Sequence, residues 1–402
     1  MDLVDLLVGE LLVDYKWVYK IKTRSDGFVE HYKACLVAKG FTQEYWIDYE
    51  ETFAPIAHPT SIHSLITIAT TKGWKLFQMA VKNAFLNGDL IWEVYMKPPT
   101  RFEHPPNKVC QLKQALYGLK QAPQAWFAKF STTINEFDFT FSPYDIALFI
   151  RNTNHGIEVT PSNDGYLFSQ TKYAYDLIFK AGLIDSKTTS TPLEPNVRHT
   201  PMDGSPLVDP TCYRQLVSFF MDFTFLLILH FFAHSSLELR AYSDADWAKD
   251  SNDHKSTIGY CLFLCDSLIS WHSEKQSILS RFSIEAEYQA FRDATSELLH
   301  LCWLLEDMGI PQLPATNLYC NNQNAMQIAH NDVFHECTKH IEVDCHFVRH
   351  HVAQGTVHLV FISFVDQPTN LLTKAHFPGC FHTLISKLKY HNNLEFEGDV
   401  KI

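Results

Sequence analysis

The chain has 402 residues, 46% hydrophobic and 19% charged, with a formal net charge of −12 at pH 7. This composition supports buried cores and excludes wholesale disorder, and the length allows two or three domains. The acidic balance excludes nucleic-acid binding through a global basic field, so such binding would need local basic clusters. Ten cysteines without a framework spacing, and no cleavable N-terminal signal, predict a reduced intracellular protein, in the cytoplasm or the nucleus.

The first predicted element is a β-hairpin. In residues 16–22, KWVYKIK, apolar side chains alternate with lysines, which is typical of a strand. Asp26 and Gly27 supply a tight turn before the returning strand FVEHYKACLVA. The hairpin also concentrates basic side chains, which are Lys16, Lys20, Lys22, Arg24, Lys33 and Lys39. We predict that this basic cluster contacts nucleic acid; the alternative is an ordinary solvated hairpin surface.

A helix, a strand and a second helix follow along the chain. Ser61 is the expected N-cap of the first helix, and Gly73 is its expected end. The segment KLFQMAV, residues 75–81, is then predicted as a strand, and apolar residues at helical spacing predict a packed helix within 121–138. Four side chains near the predicted strand are expected to be core residues: Met79, Val81, Phe85 and Leu86.

The middle of the chain contains a predicted linker and an apolar run. Residues 186–210 are rich in Pro, Ser and Thr, which indicates a linker. Residues 216–233 are apolar enough to suggest a membrane span, but Asp222 and His230 interrupt the run and no cationic flank follows closely. We therefore expect no membrane span. The alternatives are a buried helix, or a stretch whose sequence has changed so far that its original pattern is lost.

The last part of the chain has a regular order of elements. A strand is predicted at LELRAYSDADW from residue 237, followed by strands at YCLFL and LISW. A long helix over 284–305 carries one apolar stripe, and NLYCNNQNAMQIA predicts a strand followed by a helix. This order indicates an α/β (α+β) fold whose sheet begins with antiparallel strands.

Several strings carry a family resemblance. The first set is YKACLVAKGFTQ from Tyr32, DYEETFAPIA from Asp48, KGWKLFQMAVKNAFLNGDL from Lys72 and LYGLKQAPQAW from Leu116. The second set is AYSDADWAKD from Ala241, STIGYCLFL from Ser256, EAEYQA from Glu285, LYCNNQNA from Leu318 and TKHIEVDCHFVR from Thr338. In order and spacing, the first set resembles the reverse transcriptase of copia-type LTR retrotransposon Pol polyproteins, and the second resembles their ribonuclease H.

The resemblance implies a fold and a set of domains. It implies partial reverse-transcriptase fingers and palm in residues 1–153, without the Asp-Asp hairpin, and a truncated thumb or connection with linker in 154–235. It further implies a ribonuclease H-like mixed-sheet domain in 236–360 and a C-terminal tail in 361–402. The family activities are RNA-directed DNA polymerisation and cleavage of RNA:DNA hybrids.

Polymerisation by this family needs carboxylates that hold two Mg²⁺ or Mn²⁺ ions. Where the resemblance places the first aspartate, this sequence has Ala80, and no Asp-Asp dipeptide occurs in the chain. Cys35 stands where the family has an arginine suited to nucleotide phosphates. We therefore predict that this copy does not polymerise DNA. No small-molecule cofactor is expected.

The ribonuclease H motifs retain more of their acids. The resemblance assigns catalytic and metal-binding roles to Asp244, Glu287 and Asp344, and it puts Asn321 where the family has a fourth acid. An amide adds no negative charge, so we predict weak or absent Mg²⁺ binding and no cleavage. Two alternatives remain open: a module that binds RNA:DNA hybrid, and a weak metal-dependent ribonuclease H.

The same region offers a set of possible zinc ligands. They are His335, Cys337, His340, Asp344, Cys345, His346 and His350. Their spacing is not that of a paired zinc knuckle. The preferred interpretation is that accumulated point substitutions placed these residues here.

Overall fold

The computed structural model describes residues 2–5, 11–24, 28–46, 48–77, 79, 81–100, 104–151, 166–169, 228–232, 236–249, 253–312, 315–331 and 342–388. The chain divides into two compact units. The first is formed chiefly by Met1–Ala57 and Phe77–Asn154, and the second by His58–Leu76 and His155–Glu395. The predicted linker at 186–210 lies outside the described residues.

The described residues up to 151 form α-helices and β-strands of both units. In chain order they are β1 (Asp2–Asp5), β2 (Leu12–Val13), β3 (Tyr15–Thr23), β4 (Val29–Ala38), α1 (Pro59–Lys72), β5 (Asp89–Met96), β6 (Lys108–Gln114), α2 (Ala122–Asn135), β7 (Thr140–Ser142) and β8 (Asp145–Ile150). In the first unit, a sheet has the order β1-β6-β5-β2, and β3–β4 and β7–β8 form two hairpins. The core of this unit lies over β5 and β6, where Val94, Met96 and Leu112 are buried against Val13 and Leu116.

The hairpin prediction is confirmed. Strands β3 and β4 pair antiparallel, with Trp17 opposite Leu36 and Lys20 opposite Lys33. Since side chains alternate between the two faces of a strand, the lysines share one face and the aromatic side chains of β3 share the other. Tyr19 is 75% exposed, whereas Tyr15 and Leu36 on the same face pack partly against the core of the first unit, so only one end of this face contributes to a core.

The predicted strand at 75–81 is wrong for its described residues, which are 75–77, 79 and 81. They have no strand assignment, and Met79 is 85% exposed and Val81 44%. These two residues are therefore not core residues, whereas Phe85 and Leu86 pack partly against the core of the first unit. A strand buries its apolar side chains only when a partner strand lies beside it, and an apolar pattern alone does not supply that partner.

The first helix begins earlier than predicted. Helix α1 starts at Pro59, with His58 as its N-cap, and Ser61 lies buried inside the helix without capping it. Proline suits the first helical position because its ring fixes φ and its missing N–H would have no helical partner there. Gly73 ends the helix as predicted, with φ of 66° and its N–H donating to the carbonyls of Ala69 and Thr70.

The described residues after 151 form further α-helices and β-strands of the second unit. They are β9 (Tyr166–Ser169), β10 (Ile228–Phe231), β11 (Leu239–Asp246), β12 (Thr257–Leu264), β13 (Ser267–Lys275), α3 (Ser283–Asp307), β14 (Thr316–Cys320), α4 (Gln323–His330), α5 (Glu342–Ala353), β15 (Val357–Phe361), α6 (Asn370–Thr373) and α7 (Pro378–Lys387). The main sheet has the order β13-β12-β11-β14-β15. Strands β11 to β13 are antiparallel, and β14 and β15 run parallel to β11. This mixed sheet confirms the predicted ribonuclease H-like fold.

Helix α1 belongs to this second unit. Its His63 is buried, lies 3.0 Å by Nδ1 from the carbonyl oxygen of Ile269, and stacks on Trp271 with ring centroids 5.6 Å apart. The chain before residue 236 thus supplies a helix that packs on β13. The domain boundaries drawn from the sequence stay a prediction.

The segment after residue 361 is folded where it is described. Leu372 and Leu388 are buried with Phe231 and Cys261 in one hydrophobic cluster. The short helix α6 packs so closely that a Cβ on Gly259 would lie 3.0 Å from the Cβ of Leu372. Leu372 and Leu388 therefore contribute to the core of the second unit, and the C-terminal tail drawn at 361–402 stays a prediction.

The apolar run at 216–233 is described only in part. Residues 216–227 and 233 lie outside the described residues, and Ile228–Phe231 forms strand β10, which pairs antiparallel with β9. The described part thus excludes the alternative of a buried helix for Ile228–Phe231. Among the described residues, no helix is both long and apolar enough to cross a membrane.

Candidate acid cluster of the ribonuclease H-like unit

Asp244 stands at the centre of the candidate site. It lies on β11, the middle strand of the sheet, and its side chain is fully buried. Asn321 follows directly after β14, which runs parallel to β11, so the two side chains reach the same edge of the sheet. The Asn321 amide donates from Nδ2 to Asp244 Oδ1 over 3.2 Å.

Glu287 enters the cluster from α3. Its side chain is 7% exposed, and it accepts a hydrogen bond from the backbone N–H of Ala245. No described group donates to its Oε2. Burial first, and then the negative charge of Asp244, raise the pKa of Glu287 to about 8. The structure thus brings together Asp244, Glu287 and Asn321, three of the positions predicted from the sequence.

Two further residues of the cluster were missed by sequence reasoning. Thr373 donates from Oγ1 to Asp244 Oδ2, and Lys374 Nζ lies 2.9 Å from the Asp244 carboxylate. They stand at the end of α6, which Gln367 helps to hold against β11 by donating to the carbonyl of Ser243 over 2.8 Å. The stretch DQPTNLLTK has no periodic apolar pattern that would predict burial, although its Gln367, Thr369 and Asn370 are buried in the structure.

Asp344 lies elsewhere. It is on α5 and pairs with Arg292 of α3, with Nη1 3.3 Å from its carboxylate. Among the described residues, its polar contacts go to Arg292 and not to Asp244 or Glu287. The structure therefore does not bring Asp344 to the acid cluster.

The residues present do not fit a divalent cation. Reverse transcriptases and ribonucleases H generally use divalent metals, which need several oxygen ligands with free lone pairs. Here the Asp244 oxygens already accept from Asn321, Thr373 and Lys374. Within the described ranges, no group of three or more His, Cys, Asp or Glu side chains could hold a metal ion. That statement also covers the described zinc candidates on α5; His335, Cys337 and His340 lie outside the described residues.

The predicted polymerase and nucleic-acid positions lie in the first unit. Ala80 is outside the described residues, and Cys35 is a partly exposed free thiol on β4. The basic residues Lys16, Lys20, Lys22 and Lys33 share one face of the hairpin by register. Lys39 is apart from them, since its Nζ pairs with Asp14 at 2.7 Å.

Comparison with known proteins agrees with the motifs. Residues 1–156 match the family model of reverse transcriptase (RNA-dependent DNA polymerase). The retrovirus-related Pol polyprotein from transposon RE1 of Arabidopsis thaliana is 33% identical, over 94% of this chain and 32% of that protein. The Pol polyprotein from transposon TNT 1-94 of Nicotiana tabacum is 28% identical, over 92% of this chain and 35% of that protein. The chain thus spans about a third of the length of these curated relatives.

Solved structures give a weaker likeness. The N-terminal RNase H domain of a Mycobacterium tuberculosis protein matches with 10% identity and a TM-score of 0.26, over 38% of this chain and 98% of that chain. RNase H1 from Halobacterium salinarum matches with 15% identity and a TM-score of 0.23, over 34% of this chain and 91% of that chain.

Family match and fold together define a reverse transcriptase sequence followed by a ribonuclease H-like unit. The chain is a relative of the copia-type retrotransposon Pol polyproteins, and the likeness covers nearly all of it.

The raised pKa of Glu287 predicts a pH-dependent stability. The folded state keeps its proton up to a pKa of about 8, whereas the unfolded state loses it near the ordinary value of 4.5. Between these pH values the unfolded state binds fewer protons, so stability falls as pH rises, by about 1.4 kcal/mol per pH unit. Glu287→Gln should remove this slope and gain stability relative to wild type from pH 5 to pH 8.

Urea unfolding of the full chain at pH 5, 6.5 and 8 measures this effect. Glu306→Gln, at an exposed position near the other end of α3, is the matched control and should leave the slope unchanged. Equal pH slopes for wild type and Glu287→Gln would show that Glu287 titrates normally in the folded chain.

Proposed function

We propose that this chain is a catalytically silent member of its class, which binds RNA:DNA hybrid weakly, through its ribonuclease H-like unit and the basic hairpin of its first unit, and does not cut it. The observation that carries the proposal is the contact between Asn321 Nδ2 and Asp244 Oδ1 at 3.2 Å. A metal ligand must offer a lone pair to the cation, but here an amide N–H occupies that oxygen of Asp244. With Asp344 paired to Arg292, only Asp244 and Glu287 of the predicted acids remain in the cluster.

Loss of polymerase activity is part of the same proposal. The two-metal chemistry needs carboxylates around the primer end and the nucleotide phosphates. The sequence has Ala80 at the first of these positions, by resemblance, and contains no Asp-Asp dipeptide. We propose that the first unit therefore adds no nucleotides to a primer.

Weak nucleic-acid binding is supported by the basic face of the hairpin. Lys16, Lys20, Lys22 and Lys33 lie on one face of β3 and β4, and each phosphate contact releases a counterion. Binding that depends on about three or four such contacts should weaken steeply with salt, with a slope near −0.9 per contact. Lys39 is omitted from this set because its ammonium group is paired with Asp14.

For the localisation of this chain, we propose the cytoplasm or the nucleus.

The test uses the full chain and a labelled RNA:DNA hybrid, with Mg²⁺ and then Mn²⁺, at several salt concentrations. We expect hybrid binding that weakens with salt and no cleavage products. The variant Asn321→Asp tests whether one missing carboxylate accounts for the absence of cleavage. Asn322→Asp is its matched control, since it adds the same charge one residue away, at the N-cap of α4, where aspartate also accepts the Ala325 N–H.

Each part of the proposal can fail separately. Cleavage by the unsubstituted chain would overturn the loss of nuclease activity, and would favour a weak metal-dependent ribonuclease H. Absence of hybrid binding at low salt would overturn the binding function. Cleavage by Asn321→Asp but not by Asn322→Asp would assign the silence of the natural chain to position 321.

A further inference from the structure

We infer that the ammonium group of Lys374 is the resident cation of the acid cluster, so that the second unit keeps its fold without a divalent metal. The inference concerns the cluster on which the proposed loss of cleavage rests. It goes further, because it assigns a structural role to a lysine that neither the predicted acids nor the comparisons single out.

The environment of Lys374 is a coordination set for an ammonium group. Its Nζ lies 2.9 Å from the Asp244 carboxylate and 2.9 Å from Asn370 Oδ1. The face of the Phe364 ring lies below it, with the ring centroid 4.9 Å from Nζ. Its side chain is 15% exposed and that of Asp244 is fully buried. A carboxylate, an amide oxygen and an aromatic face therefore replace most of the water around this charge.

The fold holds Lys374 in this place. Asn370 and Lys374 are four residues apart across α6, and the Asn370 amide donates from Nδ2 to the Phe364 carbonyl over 2.7 Å. The preceding Gln367 is tied to β11, and Leu372 is buried in the core beside it. Buried contacts thus hold the backbone just before Lys374. The fold therefore fixes the position of its ammonium group more closely than that of a surface lysine, whose side chain is free to move.

A divalent ion at Asp244 would compete with this arrangement. It would need the oxygen lone pairs that now accept from Asn321, Thr373 and Lys374. It would also lie beside the positive charge of Lys374 and be repelled by it. Removing only the lysine would leave a buried, unpaired carboxylate, which is strongly destabilising unless another cation takes its place.

The test is thermal unfolding of the full chain in EDTA, in Mg²⁺ and in Mn²⁺, together with direct measurement of Mn²⁺ binding by electron paramagnetic resonance. The wild-type midpoint should be the same in all three solutions. Lys374→Gln should unfold at lower temperature in EDTA, recover part of the loss in Mn²⁺, and bind Mn²⁺ at least about tenfold more tightly than wild type. Lys387→Gln, which removes a more exposed pair with Asp366, is the matched control and should change neither property.

A second variant keeps the inference testable if Lys374→Gln does not fold. Combining Lys374→Gln with Asp244→Asn removes both charges, so the double variant should be more stable than Lys374→Gln alone. A double variant no more stable than the single variant would overturn the inference, as would a wild-type midpoint that rises in Mn²⁺. These measurements use no nucleic acid. The inference about Lys374 can therefore be wrong while the proposed absence of cleavage is right, and the proposed absence of cleavage can be wrong while the inference is right.

Discussion

Deletion of residues 362–402 should abolish cooperative unfolding of the ribonuclease H-like unit, whereas deletion of 389–402 should leave its midpoint within about 2 °C of the full chain. The longer deletion removes helix α6, which packs on the sheet, and helix α7, which packs against α6. The shorter deletion keeps both helices and the buried side chain of Leu388.

The expected size of this effect follows from the side chains that the longer deletion removes. Leu372 and Leu388 are buried in the cluster around Phe231, and each buried leucine contributes roughly 1.5–3 kcal/mol. Removal of Lys374 also leaves Asp244 buried without its ion-pair partner, which costs about 3–5 kcal/mol. The sum is comparable with the whole stability of a typical domain, about 5–15 kcal/mol.

Scanning calorimetry and near-UV circular dichroism of the two deletion variants measure this directly. Nuclease assays on a fragment that ends at residue 360 would be misleading for the same reason. Such a fragment lacks Gln367, Thr373 and Lys374, so its silence would not report on the acids. A 362–402 deletion variant with a wild-type transition would show that α6 and α7 are dispensable.

The second large effect is expected in the first unit, at Gly118. Its φ is +93°, a value that residues with a side chain rarely adopt, and a Cβ there would lie 2.1 Å from the carbonyl oxygen of Ala38. The same two backbone segments are joined by a hydrogen bond from the Ala38 N–H to the Tyr117 carbonyl, 2.8 Å long. Because the clash is with backbone, no side-chain rotation relieves it, and Gly118→Ala should cost at least about 3 kcal/mol.

Gly309→Ala is the matched control for this prediction. Gly309 also has a positive φ, of +75°, but a Cβ there would meet nothing within 4 Å. It therefore tests backbone strain without a clash and should cost about 1–2 kcal/mol. Urea unfolding combined with limited proteolysis of the first unit distinguishes the two variants, and an equal cost for both would contradict the close contact between Gly118 and Ala38.

The acid cluster shows which site residues the sequence motifs predicted correctly and which one they did not. Motifs singled out Asp244, Glu287 and Asn321, and the structure brings these three together because β11, β14 and α3 meet at one edge of the sheet. Asp344 belonged to an equally clear motif, yet it lies against Arg292. A motif gives the order of residues along the chain, whereas the direction of a helical side chain depends on how that helix packs.

By itself, the sequence determined the hairpin, the long helix α3 and four strands of the second unit, β11 to β14. Those elements depend on local periodicity and turn residues, which act between neighbours in the chain. Resemblance to the family added the prediction that Asn321 and Ala80 stand at its acid positions, and this stays a prediction.

Only the tertiary structure decided which side chains surround Asp244 and what covers the sheet. Lys374 contacts a carboxylate 130 positions earlier in the chain, and His63 of α1 reaches Ile269 across 206 positions. Exposure of Met79 likewise depends on whether a partner strand lies beside it. Such contacts leave no periodic pattern near either residue, since they arise from the packing of distant segments once the sheet has formed.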